Sequence, residues 1–184
     1  FGRSQHCAIP QELDSISSHW RDVEHLIDEL KLTQFTLIGY SMGATTAMHG
    51  MQYGHLGQKL KGYLHIDQTP KIRVDSTWQF GLFGERYTEF RRFLHLINAL
   101  LQSHASVQYL EELPLTHQQE LVETWLKFIE FQSSNSFIPK IFKLALQYPK
   151  LQKHVLPIQR LDYLRWYVQN YLNHTEDYRT ALQA

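Results

Sequence analysis

One cysteine, Cys7, is all the thiol chemistry that the 184 residues carry. That excludes an internal disulfide framework and a thiolate metal cluster, and it fits a reducing compartment. An excess of charge is missing too, since 18 Lys and Arg balance 18 Asp and Glu. A balanced chain has no broad electrostatic pull toward nucleic acid or an anionic membrane surface. No apolar run nears the about 20 residues that cross a bilayer, and no secretory leader is visible. His-Glu-x-x-His, Gly-x-Gly-x-x-Gly and phosphate-loop patterns are all absent, so neither a metal nor another cofactor is expected. An initiator Met is lacking as well: the chain opens with Phe1-Gly2-Arg3-Ser4, which reads as mid-loop. A processed or truncated start is expected, with the protein placed in the cytoplasm.

What is present is core material. Apolar residues make up 43% of the chain, with ten Phe, ten Tyr and four Trp, which points to a globular protein. Trp20, Val23, Leu26, Ile27 and Leu30 recur at helical spacing and predict a helix over about 13–30. Phe35-Thr36-Leu37-Ile38 reads as a strand buried on both faces. Small residues after Gly39-Tyr40-Ser41-Met42-Gly43 predict a helix to about Tyr53, stopped by Gly54 and Gly57. Leu60–Ile66 reads as a second strand, broken by Asp67-Gln68-Thr69-Pro70. This alternation belongs to a parallel α/β sheet.

From about Thr77 the pattern turns helical: 85–102, then a helix from Thr116 with Gln119 completing a capping box, then 137–147, 158–172 and a last helix after Thr175. The expected organisation is a partial α/β core over 1–76 and a helical region over 77–184.

Gly39-x-Ser41-x-Gly43 carries the chemistry. It lies where a strand ends and a helix begins, the setting in which a serine is lifted off a sheet on a tight turn. Such a turn strains the serine backbone, and side chains two positions away are expected to collide with it. The hydroxyl then sits at a helix N-terminus, where amide N–H groups and the helix dipole favour negative charge. The Met42 N–H becomes an oxyanion donor.

Gly-Tyr-Ser-Met-Gly in this context resembles the nucleophile elbow of the α/β-hydrolase superfamily. Phe1-Gly2-Arg3-Ser4 is similar to the loop after that family's fourth strand. Asp67-Gln68-Thr69-Pro70-Lys71 and Trp78-Gln79-Phe80-Gly81-Leu82 are similar to the segment between the sixth strand and the cap in cap-bearing, cofactor-free, haloperoxidase-like members. The resemblance implies strands five and six with the elbow, a helical cap over 77–184, and Ser41 as nucleophile. It also implies further strands upstream, and an acid and a histidine after the cap, outside these residues.

Within the chain, His49, His55, His65, His95, His104 and His117 read as surface or packing histidines by their placement. Asp67 either supplies an alternative acid at the end of a parallel strand or ties the turn that follows it. Trp78, Phe80 and Phe83 are candidates to line an apolar acyl pocket over Ser41.

Function therefore stands between two classes. One is a piece of a serine hydrolase acting on a small-molecule ester or related carbonyl. The other is a catalytically inactive hydrolase remnant or a binding protein.

Overall fold

The computed structural model describes residues 19–132, 140, 141, 144 and 160–183. The opening loop with Phe1-Gly2-Arg3-Ser4, the start of the first predicted helix, most of 137–147 and residues 158–159 fall outside that set. Contacts gather the chain into two compact units, one holding the described residues of 10–87 and 173–184, the other those of 88–172. Sequence patterning set the border at 76/77 and gave the whole C-terminal stretch to the helical part. In the structure the first unit runs on to Tyr87 and takes the chain back at Asn173.

The first unit is α/β. Helix α1 (Trp20–Glu29) precedes strand β1 (Phe35–Tyr40), helix α2 (Met42–Tyr53), a short helix α3 (Leu56–Lys59) and strand β2 (Leu60–Ile66). β1 and β2 pair in parallel, with Leu37 opposite Tyr63, Gly39 opposite His65 and Tyr40 opposite Ile66. Ile27, Ala47 and Leu56 form the core, with Val23, Phe35, Leu37, Met51, Leu60 and Tyr63 packed around it. Each fully buried aliphatic side chain there stabilises the unit by about 1.5–3 kcal/mol.

Of the predicted α1 stripe, Ile27 is buried and Val23 packs on the core, while Leu26 and Leu30 stay exposed. α1 ends in a Schellman turn with Lys31 left-handed at φ 53°, where the Leu32 N–H reaches the Ile27 carbonyl at 3.0 Å. α2 stops as expected, with Gly54 N–H bonded to the Gly50 carbonyl.

β1 is not buried on both faces. Leu37 and Gly39 turn inward, but Ile38 and Tyr40 are exposed, as are Leu64 and Ile66 beside them on β2. Both α1 and α2 pack on the Leu37–Tyr63 side, so among the described residues no helix of this unit covers the other side.

The helical unit carries helices α4 (Tyr87–Ser103), α5 (Leu115–Gln132) and α6 (Leu161–Asn173), with the end residues Tyr87 and Asn173 belonging to the α/β unit. Phe90, Leu94, Ile97 and Leu101 line the buried side of α4. The rings of Phe93, Phe128 and Phe131 meet at centroid separations of 5.5–6.1 Å. Arg160 clamps Asp162, and Arg165 donates to the carbonyls of His104 and Val107.

α5 starts one residue earlier than its pattern suggested. The N–H groups of His117 and Gln118 both bond to the Pro114 carbonyl, so Thr116 lies inside the helix and no Thr116–Gln119 capping box forms. The helix expected after Thr175 is also absent. Residues 174–183 form an extended strap with turns, in which Asp177 bridges to Lys71 and Tyr178 is buried. No helix among the described residues is long and apolar enough to cross a membrane.

Candidate active site

Ser41 occupies the N-cap of α2 with φ 49° and ψ −121°, a backbone region that non-glycine residues adopt at a cost of order 1–3 kcal/mol. Its N–H extends the sheet ladder to the Ile66 carbonyl at 2.9 Å. Its carbonyl accepts the N–H groups of Ala44 at 2.9 Å and Thr45 at 3.3 Å. The turn is thus pinned to β2 on one side and to the first turn of α2 on the other. Met42 follows as the first helical residue, and the first N–H groups of a helix have no acceptor within it.

Gly39 is required by the packing. A Cβ built there stands 2.6 Å from Ala44 Cα and 3.0 Å from Ala44 N, both backbone atoms that cannot yield. Gly43 differs from the expectation, because a Cβ there meets nothing within 4 Å. Gly43 sits on the exposed side of the first turn of α2, so the crowding that governs Gly39 does not extend to it. Tyr63 fixes the same turn from β2, its hydroxyl donating to the Ala44 carbonyl at 3.0 Å, and burial pushes its pKa up to about 12.

Asp67 directly follows Ile66, beside the elbow, with φ 55° and an exposed side chain. It does not tie the turn after β2; its neighbours do. Gln68 Nε2 donates to Thr45 Oγ1 at 2.7 Å and to the Ser41 carbonyl at 3.3 Å, while Gln68 Oε1 accepts the Thr69 N–H at 2.9 Å. Thr69 Oγ1 lies 2.9 Å from the Phe80 carbonyl and accepts the Trp78 indole N–H at 3.1 Å.

Trp78 and Phe80 come together edge-on at 5.6 Å between centroids, and the Arg179 guanidinium lies 5.2 Å from the Trp78 ring centre. Phe80 is three-quarters exposed, at 75%. Phe83 holds a left-handed φ of 64° at the turn before α4.

Among the described residues no histidine is hydrogen-bonded to the Ser41 hydroxyl. His49 Nδ1 lies 3.0 Å from the Tyr178 hydroxyl, His104 and His117 share a 2.7 Å contact, and His55 and His95 are exposed. His65 rests against the Tyr63 ring at 5.9 Å.

Four residues of this unit have surroundings that the sequence did not specify, although Gln68 and Lys71 lie in the Asp67–Lys71 segment that resembles the superfamily. Gln68 ties the elbow. His174 is 7% exposed, its Nε2 has no hydrogen-bond partner among the described residues, and burial drives its pKa down to about 4. Tyr178 is buried and its N–H bonds to the Pro70 carbonyl at 2.9 Å. Lys71, also buried, meets Asp75 at 2.8 Å, Asp177 at 3.5 Å and Thr77 Oγ1 at 2.8 Å. The Arg179 hydrogen bonds hold Asp177 down at about 2, and Lys71 holds Asp75 well below the usual carboxylate range. The four-residue spacing of Lys71 and Asp75 was the one available hint. No cluster of three or more metal-ligating side chains occurs among the described residues.

No protein-family model, curated protein or solved structure matches the chain.

Proposed function

We propose that this chain is the elbow-bearing part of a serine hydrolase of α/β-hydrolase type. On this reading β1 and β2 are the fifth and sixth strands of the larger sheet and the helical unit is its cap. Ser41 attacks the carbonyl carbon of a small-molecule ester or related substrate. The alcohol leaves, and water then cleaves the acyl-enzyme. The Met42 N–H supplies one donor to the oxyanion. The reading needs neither metal nor cofactor, and it assigns the histidine base and its carboxylate to sequence outside these residues.

The observation that carries the reading is the Ser41 backbone, at φ 49° and ψ −121°, on a strand-to-helix turn. A serine that only capped a helix needs no such strain, because N-caps ordinarily adopt extended backbone. The test is Ser41→Ala in the full-length protein, assayed on short p-nitrophenyl esters. Loss of at least about a thousandfold in kcat is expected for a nucleophile; undiminished turnover overturns the assignment.

A second reading, a non-catalytic binding remnant, draws on the exposed Ile38, Tyr40, Leu64 and Ile66. Contiguous apolar surface of this kind marks interaction sites. Failure of Ser41 to react with a fluorophosphonate in the full-length protein favours that reading.

A further inference from the structure

We propose that Gln68 is a positioning residue that aims the Met42 N–H at the oxyanion, a role that rests on the serine-hydrolase reading above. One peptide unit joins the Ser41 carbonyl to the Met42 N–H. A trans peptide is planar, so its C=O and N–H point in opposite directions and turn together. Whatever holds the Ser41 carbonyl therefore sets the direction of the Met42 N–H.

Two holds on that carbonyl are local, the N–H groups of Ala44 and Thr45 at 2.9 and 3.3 Å. They belong to α2 and move with it. The third comes from across the sheet: Gln68 Nε2, from the loop leaving β2, at 3.3 Å. The same nitrogen donates to Thr45 Oγ1 at 2.7 Å, on a residue 1% exposed. Gln68 Oε1 is in turn anchored by the Thr69 N–H at 2.9 Å. All the polar atoms of the amide are thus engaged, and Gln68 fastens the start of α2 to the end of β2. A side chain with only a packing role has no need of two donors fixed on one helical turn. The strained Ser41 backbone requires such an outside hold to stay in one conformation.

Gln68→Glu in the full-length protein tests this. The variant keeps the size and the acceptor for Thr69, but its ionised carboxylate cannot donate to the Ser41 carbonyl and repels it. On p-nitrophenyl butyrate, kcat should fall about 10- to 100-fold, below the full effect of deleting an oxyanion donor, with KM within about twofold of the parent. The kcat ratio of variant to parent should rise again as pH falls through the carboxyl range, where the protonated acid recovers a donor. Thr45→Val, which removes the partner of Gln68 at nearly constant volume, should lower kcat in the same direction if Gln68→Glu does not fold.

A kcat that stays at the parent value in both variants overturns the role of Gln68. So does a loss that follows the melting temperature and ignores pH. These outcomes are separate from failure of the hydrolase reading, in which Ser41→Ala retains turnover, or the parent neither turns over the ester nor reacts with a fluorophosphonate at Ser41.

Discussion

Strain at one residue, Ser41, and close backbone packing at Gly39 define the elbow at the smallest scale. The two glycines of the motif are not equivalent. Gly39 abuts the Ala44 backbone at 2.6 Å, so Gly39→Ala forces the strand end or the helix start to move. Overpacking of this kind costs typically 1–3 kcal/mol, and the substitution is expected to lower stability by that amount in urea melts. Gly43 faces open space on the first turn of a helix. There alanine gains helix propensity of up to about 1 kcal/mol over glycine, so Gly43→Ala should be neutral or stabilising in the 184-residue chain. Equal damage from both substitutions would falsify the asymmetry. Ser41 and Gly39 were legible in sequence because their constraint is local, a turn whose sterics act within five residues. Gly43 was misread because the motif treats its two glycines alike while the packing does not. The surroundings of Gln68 and Tyr178 were not legible for the opposite reason: they are set by partners remote in sequence, Ser41 and Thr45 for one, His49 and Pro70 for the other.

Among the elements, β1, α2 and β2 follow closely from local pattern, since an apolar β-branched run and a run of small residues each favour one backbone. The failures lie where tertiary contact overrides propensity. Residues 174–183 look helical by composition, yet the Asp177 carboxylate accepts the N–H of Arg179 at 3.2 Å, a local bond that competes with helix formation. Tyr178 is then drawn into the unit, its N–H on the Pro70 carbonyl and its hydroxyl 3.0 Å from His49. The strap thereby fastens the loop after β2 to α2. Tyr178→Phe removes the hydroxyl and keeps the buried ring, so it should cost about 1 kcal/mol, the net worth of one hydrogen bond. A matched loss in His49→Phe, with the double variant no worse than either single, is the expected result of a thermodynamic cycle. Full additivity would show that the two side chains do not act together.

For the α/β unit as a whole, pH becomes the informative variable, because its strap carries a histidine and an aspartate whose pKa values are both depressed but over different pH windows. His174 is held down at about 4, chiefly by burial; Glu176 opposes the shift and His49 adds to it. In the unfolded chain the same group titrates near 6.5. Its contribution is therefore fully present above about 6.5. It declines as pH falls, because only the unfolded state takes up the proton, and it is exhausted below about 4. A shift of this size corresponds to on the order of 3 kcal/mol. Asp177 behaves differently. Arg179 depresses its pKa to about 2 from an ordinary 3.8, so its contribution is present above 3.8 and is lost as pH falls through 2. The two windows scarcely overlap, which lets one experiment separate them. Urea midpoints at pH 7, 5.5 and 4.5 should fall steadily in the parent chain. In His174→Phe they should hold nearly level over that interval. The ring replaces an imidazole whose buried Nε2 has no partner among the described residues, so the variant should be no less stable at pH 7 and clearly more stable at pH 4.5. A parent midpoint that stays flat from pH 7 to 4.5 contradicts a neutral, buried His174, and with it the close seating of the strap against α2.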